Sequence, residues 1–204
     1  MSEKDTGRVE AFSDGVFAIA LTLLILEIHV PHLAAGASNR ELAAALLSLW
    51  PSYLAFLLSF GVVLTMWINH HEFMRCVQRV DSRFLFANGF LLLMITFVPF
   101  PTALLAEYLG EPAANAAVAF YCGTFVITNI AYNVVLYSVA HNRRLVLHEI
   151  SDMALQKVRK SYQLAFFVYL LSFAVALFHA VAGLVICSSL WVLWASLGYR
   201  SEEA

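Results

Sequence analysis

Charge is what this chain has least of. Only 13% of its 204 residues are Asp, Glu, Lys or Arg, against 61% hydrophobic residues and a mean hydropathy of +0.77. A water-soluble domain of this length needs a far larger charged surface. Basic runs of the nucleic-acid-binding type are missing, so no nucleic-acid partner is expected. None of the 9 glycines falls in a phosphate loop of the Walker or Rossmann kind. Cys76, Cys122 and Cys187 lie far apart and offer no C-x-x-C metal or redox spacing. Isolated thiols in apolar segments fit packing, with one disulfide left open. No nucleophile elbow or acid–base spacing gives enzyme chemistry a foothold. The first residues hold Glu3, Asp5, Glu10 and Asp14, and no small-residue cleavage site follows, which does not fit a secretory signal.

Long apolar blocks are what the chain has instead. A bilayer core about 30 Å thick takes roughly 20 apolar residues per helix. Backbone groups in it need internal partners, which leaves helices or a closed barrel. The blocks lack the strict alternation of barrel strands, so the expectation is an all-α, polytopic membrane protein forming one domain over 1–204. Six spans are read at about 11–30, 43–69, 84–105, 113–139, 162–178 and 180–197. Pro31 ends the first, Pro99 and Pro101 kink the third, and the last two form a hairpin around 179–183. Of the 12 Lys and Arg residues, all but Arg40 fall on one side of this layout. The excess of positive charge places both termini in the cytoplasm of a multi-pass protein of the inner or plasma membrane. The connection at about 142–160 is the one long cytoplasmic segment. Val146, Ile150, Met153, Ala154 and Val158 share a helical face there, which predicts a short interfacial or packing helix.

The first span is the most informative stretch. Arg8, Ser13 and Asp14 sit at its cytoplasmic end, and the second span returns to that level with Trp67, Asn69, His70 and His71. Polar groups in a membrane are costly and are usually paired or functional. A network joining Arg8 and Asp14 to that cluster satisfies both charges; the alternative is Arg8 as a snorkelling anchor. Ala11, Gly15, Ala18 and Thr22 form a small-residue stripe that lets another helix approach closely. Ile19, Leu23 and Leu26 form a neighbouring aliphatic stripe that periodicity alone assigns to packing or lipid. Glu27 reads either as an interfacial carboxylate or as a charge that concentrates cations. His70-His71-Glu72 lacks the H-E-x-x-H spacing, and adjacent helical positions point about 100° apart. Pro31 separates His29 from His32. No metal site and no cofactor are expected.

Arg8, Phe12, Ser13 and Asp14, continuing as Gly-Val-Phe-Ala-Ile-Ala-Leu-Thr-Leu-Leu-Ile-Leu-Glu27, form an R-x-x-x-F-S-D signature. It resembles the transmembrane protein 175 family of potassium channels, unbroken over the first span. Six spans, cytoplasmic ends and a Trp67-x-x-His70 element agree with that resemblance. Eukaryotic members carry two six-helix repeats and this chain carries one, which implies a prokaryotic-type homotetramer. Its implied partners are copies of itself, the lipid bilayer and permeant K⁺. The resemblance further implies that the first helix lines a central pore, with Ile19, Leu23 and Leu26 as the constriction. Thr22 would be a selectivity-linked layer, and Glu27 would lie at the outer mouth. Arg8, Phe12, Ser13 and Asp14 would form a signature network with Trp67 and His70. No T-V-G-Y-G filter or Arg-rich voltage sensor is present, so selectivity would arise without a carbonyl cage. The competing expectation is a secondary transporter in which Asp14, Glu27 and His70 carry ions or protons, although no inverted repeat accompanies it.

Overall fold

The computed structural model describes residues 3–140, 145–147 and 152–198. Helix α1 (Glu3–Leu23) runs into a tighter 3-10 turn (Leu24–Glu27). There follow α2 (Asn39–Ser48), α3 (Trp50–Arg75), α4 (Ser82–Phe97), α5 (Pro99–Tyr108), α6 (Ala114–Ala140), α7 (Asp152–Ala176) and α8 (Ala180–Gly198). Among the described residues no strand occurs, only an isolated antiparallel bridge between Val77 and Val146. The chain is all-α. Four stretches are long and apolar enough to cross a membrane: Thr6–Glu27, Trp50–Arg75, Ser82–Tyr108 and Ala114–Val139. In α7, Lys157, Arg159 and Lys160 occupy the first half, so its apolar part starts only near Tyr162. The apolar stretch of α8 is Ala180–Trp191.

Three boundaries differ from the hydropathy layout, each for a local reason. The second span starts at Trp50, and the preceding apolar residues form the separate helix α2. The joint is Leu49, whose ψ of 10° leaves the helical range, followed by Pro51 in the first turn of α3. Proline is tolerated there because a first-turn N–H has no partner to lose. The third apolar block is divided at Val98. Pro99 and Pro101 supply no N–H, and Val98 N–H reaches Ile95 O at 3.2 Å instead. Third, Val146 is buried in the bridge to Val77 and does not lie on a helical face. Gln78 N–H donates to Leu145 O at 2.7 Å, and Leu147 N–H donates to Cys76 O at 3.1 Å. Met153 and Val158 belong to α7 and are exposed, while Ile150 lies outside the described residues.

Helix α2 begins at a reciprocal cap. Ser38 N–H donates to Glu41 Oε2 at 2.7 Å, the Ser38 hydroxyl donates to the same oxygen at 2.8 Å, and Glu41 N–H donates to Ser38 Oγ at 3.3 Å. The bond from the Ser38 backbone, then that from its hydroxyl, hold the Glu41 carboxyl below its usual range. Because the folded value is depressed, this contribution is complete above the unfolded carboxylate value and is lost as pH falls through the folded one. Amide protection factors in the first turn of α2 are therefore expected to stay level from neutral pH to about 4.3 and to decline below it. Hydrogen exchange measures this, and a flat profile to pH 2 would contradict the cap.

Helix α6 forms the centre, packed by α4, α5, α7 and α8, while α1 rests on α3 and α4. Phe125 is sealed between Tyr121 (4.9 Å between ring centroids) and Tyr169 (6.0 Å). Helices α7 and α8 return on each other within Leu177–His179. That hairpin needs Gly183, because a Cβ there would sit 2.5 Å from Ala176 Cβ and 2.7 Å from its Cα. The cysteines are free thiols; Cys122 and Cys187 are buried, and Cys122 S–H donates to Gly183 O at 3.9 Å.

Candidate functional site at the junction of α1, α3 and α4

One stripe of α1 is buried: Ser13 (0% exposed), Phe17 (0%), Ala20 (1%) and, on the turn that follows, Leu24 (0%). Their spacing of four, three and four places them on one face. It is not the face singled out by small residues. Ala11, Gly15, Ala18 and Thr22 are exposed, and a Cβ at Gly15 would meet nothing within 4 Å. Close helix approach inside the chain therefore does not use that stripe.

Ser13 anchors a directional hydrogen-bond chain. Its hydroxyl donates to Val9 O at 2.8 Å and accepts from Asn88 Nδ2 of α4 at 3.0 Å. Asn88 Oδ1 lies 2.9 Å from Nε2 of the fully buried His70 on α3. An amide oxygen only accepts, so His70 is the donor and carries its proton on Nε2. Its Nδ1 is then a bare lone pair, and that atom is buried without a partner. The Phe17 ring packs at 5.4 Å from the imidazole. A chain through three helices fixes the height and rotation of α1 more tightly than apolar contact does, since the alternative is an unpaired polar group in hydrocarbon.

A separate contact holds Asp14, whose Oδ1 accepts from Trp67 Nε1 at 2.9 Å. Ser13, Asp14, Trp67 and His70 thus meet at this junction, in two arrangements. Arg8 and Phe12 do not join them. Phe12 is 67% exposed, and Arg8 is exposed on an open groove of about 410 Å³ lined also by Val80, Leu85 and Asn88. Asn69 faces elsewhere, onto a small cavity with Asn129 and Tyr132.

Asn88 is the residue missed at the sequence level. Its only signal is a carboxamide inside the otherwise apolar run of α4. A second polar knot was missed as well: Thr102 of α5 donates to Ser59 of α3 at 2.7 Å, and Ser59 Oγ lies 3.0 Å from Tyr121 OH of α6.

The far face of α1 is bare. Ile19 is 59% exposed, Leu23 40% and Leu26 65%, with Thr22 exposed between them. The Thr22 hydroxyl donates back to Ile19 O at 2.9 Å, which leaves its oxygen lone pairs free to accept. Glu27 is half-buried at the end of the 3-10 turn and has no hydrogen bond or ion pair among the described residues. Asp14 and Glu27 stand roughly 20 Å apart along the helix, and His70 is committed to Asn88.

Comparison with known proteins identifies the family. Residues 8–99 match the family model described as endosomal/lysosomal potassium channel TMEM175. A protein of Chamaesiphon minutus named as a potassium channel is 44% identical over 193 residues, covering 95% of both chains. A potassium channel of Streptomyces collinus is 41% identical, covering 84% of this chain and 82% of that one. The crystal structure of a lysosomal potassium-selective channel TMEM175 homolog from Chamaesiphon minutus superposes with a TM-score of 0.84 at 44% identity, covering 94% of this chain and 97% of the other. With such identity sustained over nearly its whole length, the chain belongs to the TMEM175 family of multi-pass membrane proteins.

Proposed function

We propose that this chain is a passive, potassium-preferring cation channel of the inner or plasma membrane. It acts as a homotetramer of six-span subunits with cytoplasmic termini, needs no cofactor, and has α1 lining the central pore. The observation that carries this is the position of α1 in the subunit. It is the least buried of the candidate spans, at 22% against 61% for the span in α6, yet one face of it is locked by Ser13, Asp14 and Leu24. A helix fixed on one side and bare on the other suits a wall shared by several copies. Helices α7 and α8 complete the six spans. Their apolar parts, from about Tyr162 in α7 and over Ala180–Trp191 in α8, are shorter than the four long spans and cross as the two arms of the hairpin around Leu177–His179.

Four copies of Ile19, Leu23 and Leu26 around an axis make rings that expel water and block a hydrated cation until they widen. A bare cation in such a ring lacks any replacement for its hydration shell. Thr22, with lone pairs free to accept between the rings, offers oxygen ligands to the ion, and Glu27 raises the local cation concentration at the outer mouth. The test is K⁺ efflux from liposomes together with native mass measurement. Passive efflux by a four-copy assembly is expected. Flux no greater than in empty vesicles, or strictly dependent on a counter-ion gradient, would overturn the channel. A monomer would overturn the central pore.

A further inference from the structure

The contact between α1 and α3 holds a second group of side chains that conduction does not require. Glu10 and Asp14 are one helical turn apart on α1, and His71 faces them from α3. One ligand atom from each lies within 4.8 Å of the other two. His71 Nδ1, a buried atom on a side chain that is 41% exposed, lies 3.2 Å from Glu10 Oε1, at ion-pair distance, and points at the carboxylate. An ion bound to a nitrogen and an oxygen at about 2.1 Å each holds those two atoms roughly 3–3.5 Å apart, the spacing found here.

Charge points the same way. Among the described residues, no Lys or Arg nitrogen pairs with Glu10 or Asp14, and the Arg75 ion pair is with Glu72. Two carboxylates therefore share only one imidazole. Trp67 also braces two of the three groups, donating to Asp14 Oδ1 at 2.9 Å and stacking on the His71 ring at 5.9 Å. A common outer neighbour that orients two ligands is what a tuned metal site requires.

We propose that Glu10, Asp14 and His71 bind a divalent transition-metal ion of the zinc type, with the remaining coordination position left to water, and that the ion ties α1 to α3. One imidazole with two carboxylates favours Zn²⁺ and Co²⁺ over K⁺, Mg²⁺ or Ca²⁺. No metal site was expected from the sequence because His71 draws both its co-ligands from a distant helix. His70, its neighbour, does not belong to this group of ligand atoms.

The test uses the full chain in detergent, free of any histidine tag, titrated with Co²⁺ by visible absorbance and with Zn²⁺ by calorimetry. One ion per chain is expected, bound about tenfold or more weakly in Glu10→Gln and in His71→Gln. A double variant His29→Gln, His32→Gln should bind as the parent does. Zn²⁺ should raise the unfolding temperature of the parent and of neither site variant, which separates lost ligation from lost folding. Unchanged affinity in both site variants overturns the site, as does equal loss in the control. Displacement by equimolar Mg²⁺ overturns the zinc-type assignment. The readout is binding, so its failure leaves conduction standing, and failure of conduction leaves the site standing.

Discussion

Alanine at Leu23 is expected to raise K⁺ efflux from proteoliposomes about tenfold, which corresponds to about 1.4 kcal/mol off the barrier to permeation. Leu23 closes the last α-helical turn of α1, and Ile19 lies one turn earlier on the same bare face. In a four-fold assembly each supplies a ring, the two separated by about 6 Å along the axis. Truncating one ring lets water persist beside the other, and a wetted ring no longer strips the ion of its shell. Ile19→Ala is expected to act in the same direction. The double variant should exceed either single, because two dry layers in series are both removed. Leu57→Ala is the control, since that residue is 63% exposed on α3 and lies outside the proposed pore. Bi-ionic K⁺/Na⁺ recordings add a second readout: the leak should come with a smaller preference for K⁺ as Thr22 loses its tight neighbours. Efflux unchanged in both single variants would remove α1 from the pore.

Helix type was legible because a spanning segment must be long and apolar, and hydropathy detects that directly. What hydropathy cannot see is where a uniformly apolar run bends. Ala43 to Leu49 is as apolar as the residues after it, yet the helix breaks at Leu49, where ψ is 10° and Pro51 follows. Periodicity has a similar blind spot. It showed two stripes on the first helix, and the stripe that packs is neither of them: Ser13–Phe17–Ala20–Leu24 mixes a hydroxyl, a ring, a methyl and an isobutyl group. Its common property is the partner surface on α3 and α4, which no local pattern encodes. Ser13, Asp14, Trp67 and His70 could be named in advance because polar groups at matching depths of two neighbouring spans suggest pairing. Asn88 was equally polar but belonged to the third span, whose register against the first is set by tertiary packing. The carboxylates of Glu10 and Asp14 were visible on α1, but their meeting with His71 depends on the same register.

Replacing Asn88 with alanine is expected to destabilise the fold by about 3 kcal/mol. Two interhelical hydrogen bonds disappear, to Ser13 at 3.0 Å and from His70 at 2.9 Å. In membrane proteins such bonds contribute about 0.6 kcal/mol on average and up to about 1.7. The larger part of the loss is the imidazole left behind: His70 is fully buried, its Nδ1 already lacks a partner, and now Nε2–H lacks one too. A buried orphan of that kind costs about 1–3 kcal/mol. Denaturant unfolding in detergent measures the total. The cause is isolated by a double variant, Asn88→Leu with His70→Phe, which removes both partners and fills the space with apolar groups. If desolvated polarity dominates, that variant recovers most of what either single change loses, because no orphan remains. If the losses add, the hydrogen bonds are independent contacts, and the seating of α1 rests on Phe17, Ala20 and Leu24. Recovery of stability with altered K⁺ efflux would be the more informative outcome. It would show that the polar chain sets the height and rotation of α1 rather than the strength of its attachment, and so decides which side chains face the axis.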